Sequence, residues 1–119
     1  MAAIVSDVAR ALGLTVTPDP RPEEVFFVRS DQFSFVKQGV SAVFILPGLD
    51  SLAAMKTYNS ERYHKPADDM GQPLFFESGV TWANIQLGIT ERLLKVKHRP
   101  TLNPDDFLGR RYSRTTTKR

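Results

Sequence analysis

The sequence predicts an α/β layer fold, and three observations carry that expectation. Two short runs rich in β-branched and aromatic residues, Val25-Phe26-Phe27-Val28 and Val40 to Leu46, lack polar alternation, which suits strands covered on both faces of a sheet. Stretches with apolar residues at helical spacing flank and separate them, giving the strand, short helix, strand order of an α/β architecture. The composition, 119 residues at 41% hydrophobic and 24% charged, is that of one folded domain and unlike that of a disordered chain.

Each element follows from local pattern. Ala2 to Leu14 places Ile4, Val5, Val8, Ala11 and Leu12 on one helical face, with Gly13 as a stop. Pro18, Pro20 and Pro22 then impose an extended or turning linker, because each ring removes a backbone donor and turns its predecessor away from helix. The strand Val25–Val28 comes next. Ser30 or Asp31 offers an oxygen to cap a short helix through Phe33, Val36 and Lys37, which Gly39 ends. A second strand spans Val40 to Leu46 and closes at Pro47-Gly48; a helix this short leaves the relative strand direction open. From Leu49 to Phe76 the pattern weakens to a short helix, Ser51 to Tyr58, and a polar irregular run, and a long irregular segment in a small domain often carries function. Glu77 to Lys95 is a long helix with a broad apolar face, Asn103 to Phe107 a turn, and Tyr112 to Arg119 a frayed end.

Composition narrows the chemistry. Without cysteine there is no disulfide, no thiolate nucleophile and no cysteine zinc knuckle, so metal chemistry falls to His, Asp and Glu. Only His64 and His98 are available, and His98 sits between Lys97 and Arg99, which repel a metal cation. No segment approaches the roughly 18 apolar residues of a membrane span. Asp7 and Arg10 interrupt the start where a signal peptide would be apolar, so no export signal is visible; localisation stays open, as does export of a longer parent. Residues 92–119 carry +7 of formal charge and residues 1–91 carry −4, so the basic pI belongs to the tail. Phosphate neutralisation by that tail is conceivable, but its cations are scattered with little aromatic interleaving, and nucleic acid is not expected as a partner.

Two clusters could carry chemistry: Arg29-Ser30-Asp31-Gln32-Phe33-Ser34-Phe35 at the exit of the first expected strand, and Tyr63-His64-Lys65-Pro66-Ala67-Asp68-Asp69. Strand ends are where open α/β sheets place their sites. A neutral imidazole at His64 suits a divalent metal, with Asp68 or Asp69 as co-ligand or tautomer-fixing partner; a loop histidine beside a helix-capping acid explains the same residues. At Ser30-Asp31 an N-cap explains both residue types and is favoured on physics alone. A serine nucleophile is not expected, because no Gly-x-Ser-x-Gly elbow is present.

Those two clusters in that order, together with Ala42-Val43-Phe44 between them and Asn103 to Gly109 after them, resemble the C-terminal part of the zinc-dependent exopeptidases of metallopeptidase family 28, which include bacterial aminopeptidases and relatives of glutamate carboxypeptidase. The resemblance runs from about Leu12 to about Phe107. It implies the C-terminal portion of a three-layer αβα sandwich around a mixed sheet, incomplete here, over residues 1–107, followed by a basic flexible tail at 108–119. It further implies a peptide substrate and two zinc ions held by two histidines, a bridging aspartate and further carboxylates, with water activated by the metals. His64 matches the last zinc ligand, Asp68 the acid that supports its loop, Ser30 and Asp31 a motif lining the substrate cleft, and Tyr63 a pocket wall. By the same resemblance the first histidine, the bridging aspartate and the Glu-Glu pair belong to the family's N-terminal half, which is missing here; Ser41 stands where relatives usually have proline, and the loop before Tyr58 is short. The expectation is therefore a fragment of a zinc exopeptidase, inactive alone, with one ligand of the site; the alternative is a non-catalytic domain or degraded remnant without a metal site.

Overall fold

A computed structural model describes residues 1–113 of the chain. Helix α1, Ala2–Ala11, forms where Ile4, Val5, Val8 and Ala11 recur at helical spacing. It stops because Gly13 takes a left-handed φ of 70°, which lets the Leu14 N–H reach back to the Ala9 carbonyl at 2.8 Å. A 3-10 turn, Pro22–Glu24, follows the proline linker, with Arg21 paired to Glu24 and its guanidinium 5.9 Å from the Phe26 ring. Helices α2, Phe26–Arg29, and α3, Gln32–Val36, are each little more than one turn. Gly39, at φ 74°, closes α3 in the same way as Gly13 closes α1, the Val40 N–H donating to the Phe35 carbonyl at 3.1 Å. After a second 3-10 turn at Leu49–Ser51 come α4, Leu52–Glu61, the 19-residue α5, Phe76–Leu94, and α6, Phe107–Tyr112.

The α/β expectation is overturned: among the described residues there is no strand and no sheet, so the chain does not form a three-layer αβα sandwich or any part of its mixed sheet. At the first expected strand, Val25 adopts φ 48°, a strained value for a β-branched residue, and Phe26–Arg29 coils into α2. The second expected strand, Val40 to Leu46, takes no regular structure, and from Ser41 to Pro47 no backbone hydrogen bond is formed among the described residues. The reason is physical. β preference is a preference for a pleated surface beside a neighbour, and a strand without a neighbour has no ladder to satisfy its N–H and C=O groups. The Phe26-Phe27 stretch satisfies its backbone locally as helix; Ser41–Pro47 leaves it unpaired.

The packing that does form is helix on helix. Val8 and Ala9 of α1 and Ile89 of α5 are buried, and α1 approaches α5 so closely that a β-carbon on Gly88 would lie 2.9 Å from Val8 Cγ1. Arg92 reaches Asp7 at 3.5 Å on the rim of this contact, and Asp7 also pairs with Arg10 at 3.1 Å; exposed pairs of this kind contribute about 0–1 kcal/mol. At the far end, Asp106 caps α6 by accepting the Gly109 N–H at 2.7 Å, and Tyr112 meets the ring of Phe33 edge-on at 5.9 Å. Gly109 is buried against the Asn103 carbonyl, where a β-carbon has no room. The part of the expected tail beyond Ser113 lies outside the described residues.

This core is small. Buried apolar side chains are Val8, Ala9, Val36 and Ile89, whereas Phe35, Phe75, Phe76, Leu94 and Phe107 are exposed. A compact chain of 119 residues has a radius of gyration of about 13.5 Å, and this one has 16.7 Å. Its accessible surface is 9594 Å², against about 6500 Å² for a compact monomer of 13.4 kDa. No helix among the described residues is long and apolar enough to cross a membrane.

The Val8–Gly88 seat is testable. Gly88→Ala gains about 1 kcal/mol in helix propensity and loses about 1–3 kcal/mol to overpacking, so a net loss of up to about 2 kcal/mol is expected in chemical denaturation followed by circular dichroism. In a Val8→Ala background the clash is gone, and the same Gly88→Ala change is expected to be neutral or stabilising; equal effects in both backgrounds would contradict the contact.

Candidate functional site

Helix α4 buries none of its residues, so its position owes little to packing and much to the way its C-terminal end is tied. The Tyr58 carbonyl accepts N–H bonds from both Arg62 and Tyr63, each at 2.9 Å. Beyond it the chain turns tightly: the Lys65 N–H donates to the Arg62 carbonyl at 2.8 Å, the Asp68 N–H to the Lys65 carbonyl at 3.0 Å, and the Lys65 ammonium to the Ser60 carbonyl. His64 sits at the bend with φ 58°, a left-handed conformation that histidine tolerates better than most residues. The Tyr58 hydroxyl then closes the loop from the other side by donating to Asp68 Oδ2 at 2.9 Å. Tyr58 thus ties both ends of the loop that displays His64.

Within that loop the Tyr63 ring stacks on the His64 imidazole, centroids 3.9 Å apart and planes 22° from parallel, while Tyr58 lies 5.9 Å from Tyr63. The imidazole is exposed and makes no hydrogen bond among the described residues, so its ring nitrogens are accessible from solvent. Asp68 is committed to Tyr58, and Asp69 Oδ1 accepts the Gly71 N–H at 2.9 Å in a turn of its own. The hydrogen bond to Asp68 holds the Tyr58 hydroxyl above its ordinary pKa of 10.0, with the negative charge of that carboxylate adding to the shift.

Ser30 and Asp31 lie elsewhere. The Ser30 hydroxyl donates backwards to the Phe26 carbonyl at 2.8 Å, closing α2, and Asp31, at the N-terminus of α3, makes no side-chain cap bond. The expected N-cap of α3 is therefore not formed. Gln32, from the same cluster, donates to the Phe27 carbonyl at 2.9 Å and finishes that turn. No hydrogen bond, ion pair or ring contact joins Ser30 or Asp31 to the His64 loop among the described residues. Tyr58 is the residue that sequence reasoning missed, since nothing in its spacing announces a partner ten positions on.

A catalytic zinc takes three protein ligands and keeps an open position. Among the described residues no group of three His, Asp or Glu side chains comes together that could hold a metal ion, because Asp68 is turned to Tyr58 and Asp69 to Gly71. Among the described residues the His64 imidazole stands without other donors gathered about it.

A family model for peptidase family M28 matches residues 1–83. The chain belongs to peptidase family M28. The match spans both clusters, from Ser30-Asp31 through Tyr63, His64 and Asp68, and ends within α5; the Asn103 to Gly109 segment lies outside it. No curated protein and no solved structure gives a significant match. A peptidase ancestry for this chain follows from family membership.

The clasp makes a pH-dependent prediction. Because the folded-state pKa of Tyr58 is raised above 10.0, its contribution to loop order is fully present below pH 10 and is lost as the pH rises through the higher folded value. Ultraviolet titration of tyrosinate is expected to show one late-ionising tyrosine that disappears in Tyr58→Phe and moves down in Asp68→Asn; three tyrosines titrating together would contradict the bond.

Proposed function

We propose that the chain serves a zinc-dependent exopeptidase of the aminopeptidase type, supplying one metal ligand and part of the substrate cleft. The observation that carries this reading is the coincidence of the M28 match with an exposed, unbonded imidazole on a clasped loop. In this proposal His64 is the ligand. Stacking against Tyr63 restricts the ring's rotation, and the Tyr58–Asp68 bond fixes the loop that aims it, as outer partners do for metal-binding histidines generally. Tyr63 forms the adjoining wall, and Asp68 acts through the loop rather than on the metal.

Ser30 and Asp31 are assigned to the substrate. The Asp31 carboxylate is exposed and uncommitted, suited to the ammonium end of a peptide, while the Ser30 hydroxyl keeps its acceptor lone pairs after donating to Phe26. The remaining zinc ligands and the general base lie outside residues 1–113 in this reading, and hydrolysis needs them. No catalytic step is assigned to this chain alone. A second reading, a non-catalytic remnant of the family, is favoured by the single donor and by the small buried core.

Zinc titration followed by calorimetry tests both. The purified chain is expected to bind zinc weakly or undetectably and to release no amino acid from a peptide; tight uptake of two ions would overturn the proposal. Where the protein carries the further ligands, His64→Ala is expected to lower zinc-dependent hydrolysis by at least about a hundredfold, whereas the remnant reading expects no zinc-dependent hydrolysis to lose.

A further inference from the structure

We propose that Lys65 is a positioning residue for His64: by donating twice across the bend, it holds the left-handed backbone that displays the imidazole. His64 takes φ 58°, a sparsely populated conformation for a residue with a β-carbon, which persists only where the surroundings impose it. Its own N–H makes no hydrogen bond among the described residues, so the constraint comes from its neighbours. Ahead of it, the Tyr63 N–H is held by the Tyr58 carbonyl at 2.9 Å. Behind it, Lys65 reaches back twice, its N–H to the Arg62 carbonyl at 2.8 Å and its ammonium to the Ser60 carbonyl. Among the described residues no other position from Tyr63 to Asp68 donates through both main chain and side chain.

Ser60 suits a cation. It stands in the last turn of α4, whose final carbonyls have no intrahelical donor and carry the negative end of the helix dipole. The Lys65 ammonium thus serves as a C-terminal cap delivered from beyond the helix, and the chain it draws back is the chain that contains His64. Its task differs from that of Tyr58. The Tyr58 hydroxyl bonds ten positions on and fixes where the loop ends, whereas the Lys65 bond spans five positions and encloses the bend itself. The functional weight of this role rests on the reading of His64 as a metal ligand; the geometry of the bend does not.

Proton NMR of the full chain, without metal, tests it. Two signals report on His64: a strong intraresidue cross-peak between its amide and α protons, which marks a left-handed backbone, and an upfield ring-current shift of its imidazole protons from the stacked Tyr63 ring, with the exposed His98 as reference. Lys65→Met keeps the apolar stem and removes the cation. It is expected to weaken the cross-peak and to take away most of the upfield shift, while His98 and the helical circular dichroism stay as they are. Lys65→Arg, which can still donate to the Ser60 carbonyl, is expected to restore both signals. Unchanged His64 signals in Lys65→Met, no rescue by Lys65→Arg, or a general loss of helix in Lys65→Met would each overturn the proposal. The exopeptidase reading is decided separately, by the zinc titration.

Discussion

A strand is not a property of one segment. Its N–H and C=O groups point sideways, and unless a neighbour meets them the ladder does not exist. That constraint shapes this chain more than any single contact. It has two runs with strand composition, Val25–Val28 and Val40–Leu46, and the two do not pair. One coils into α2 behind a left-handed Val25, and the other crosses the groove beside α1 and α5 with its backbone unmet. The described residues bury few apolar side chains, and the radius of gyration is 16.7 Å.

What remains is held by helices. Gly88 lets α1 settle onto α5 at Val8, and Gly109 lets α6 settle against Asn103; in both places the absence of a β-carbon sets the distance. The His64 loop is organised separately. Its order comes from hydrogen bonds within 58–68 rather than from burial, with Tyr58 supplying both a carbonyl and a hydroxyl. A loop of this kind can hold a side chain in one orientation without burying it, which is why the His64 loop can be read functionally although little of the surrounding chain is buried.

Helices α1, α3 and α5 were legible in the sequence, α2 and α6 were not, and the two strands read from composition do not form. Helical periodicity and glycine stops are local, so α1 with Gly13, α3 with Gly39 and the long α5 were readable from spacing. Composition at Phe26-Phe27 and Val43-Phe44 records a preference for β structure but says nothing about who supplies the neighbouring strand. Ser30 illustrates a smaller version of the problem: its hydroxyl could bond forward as a cap or backward to Phe26, and only the fold decides in favour of Phe26. His64, Tyr63 and Asp68 were visible as a motif, whereas Tyr58 became visible only once the turn brought it to Asp68.

The central claim is that Ser41–Leu46 is a strand in composition and unpaired within a single chain. Amide hydrogen exchange at Ala42, Val43, Phe44, Ile45 and Leu46 tests it most directly. The account predicts exchange near the unprotected rate in dilute solution, while the amides of α5 keep their protection. Strong protection of these five amides at the lowest concentration would show that the chain pairs the segment internally and would contradict the account.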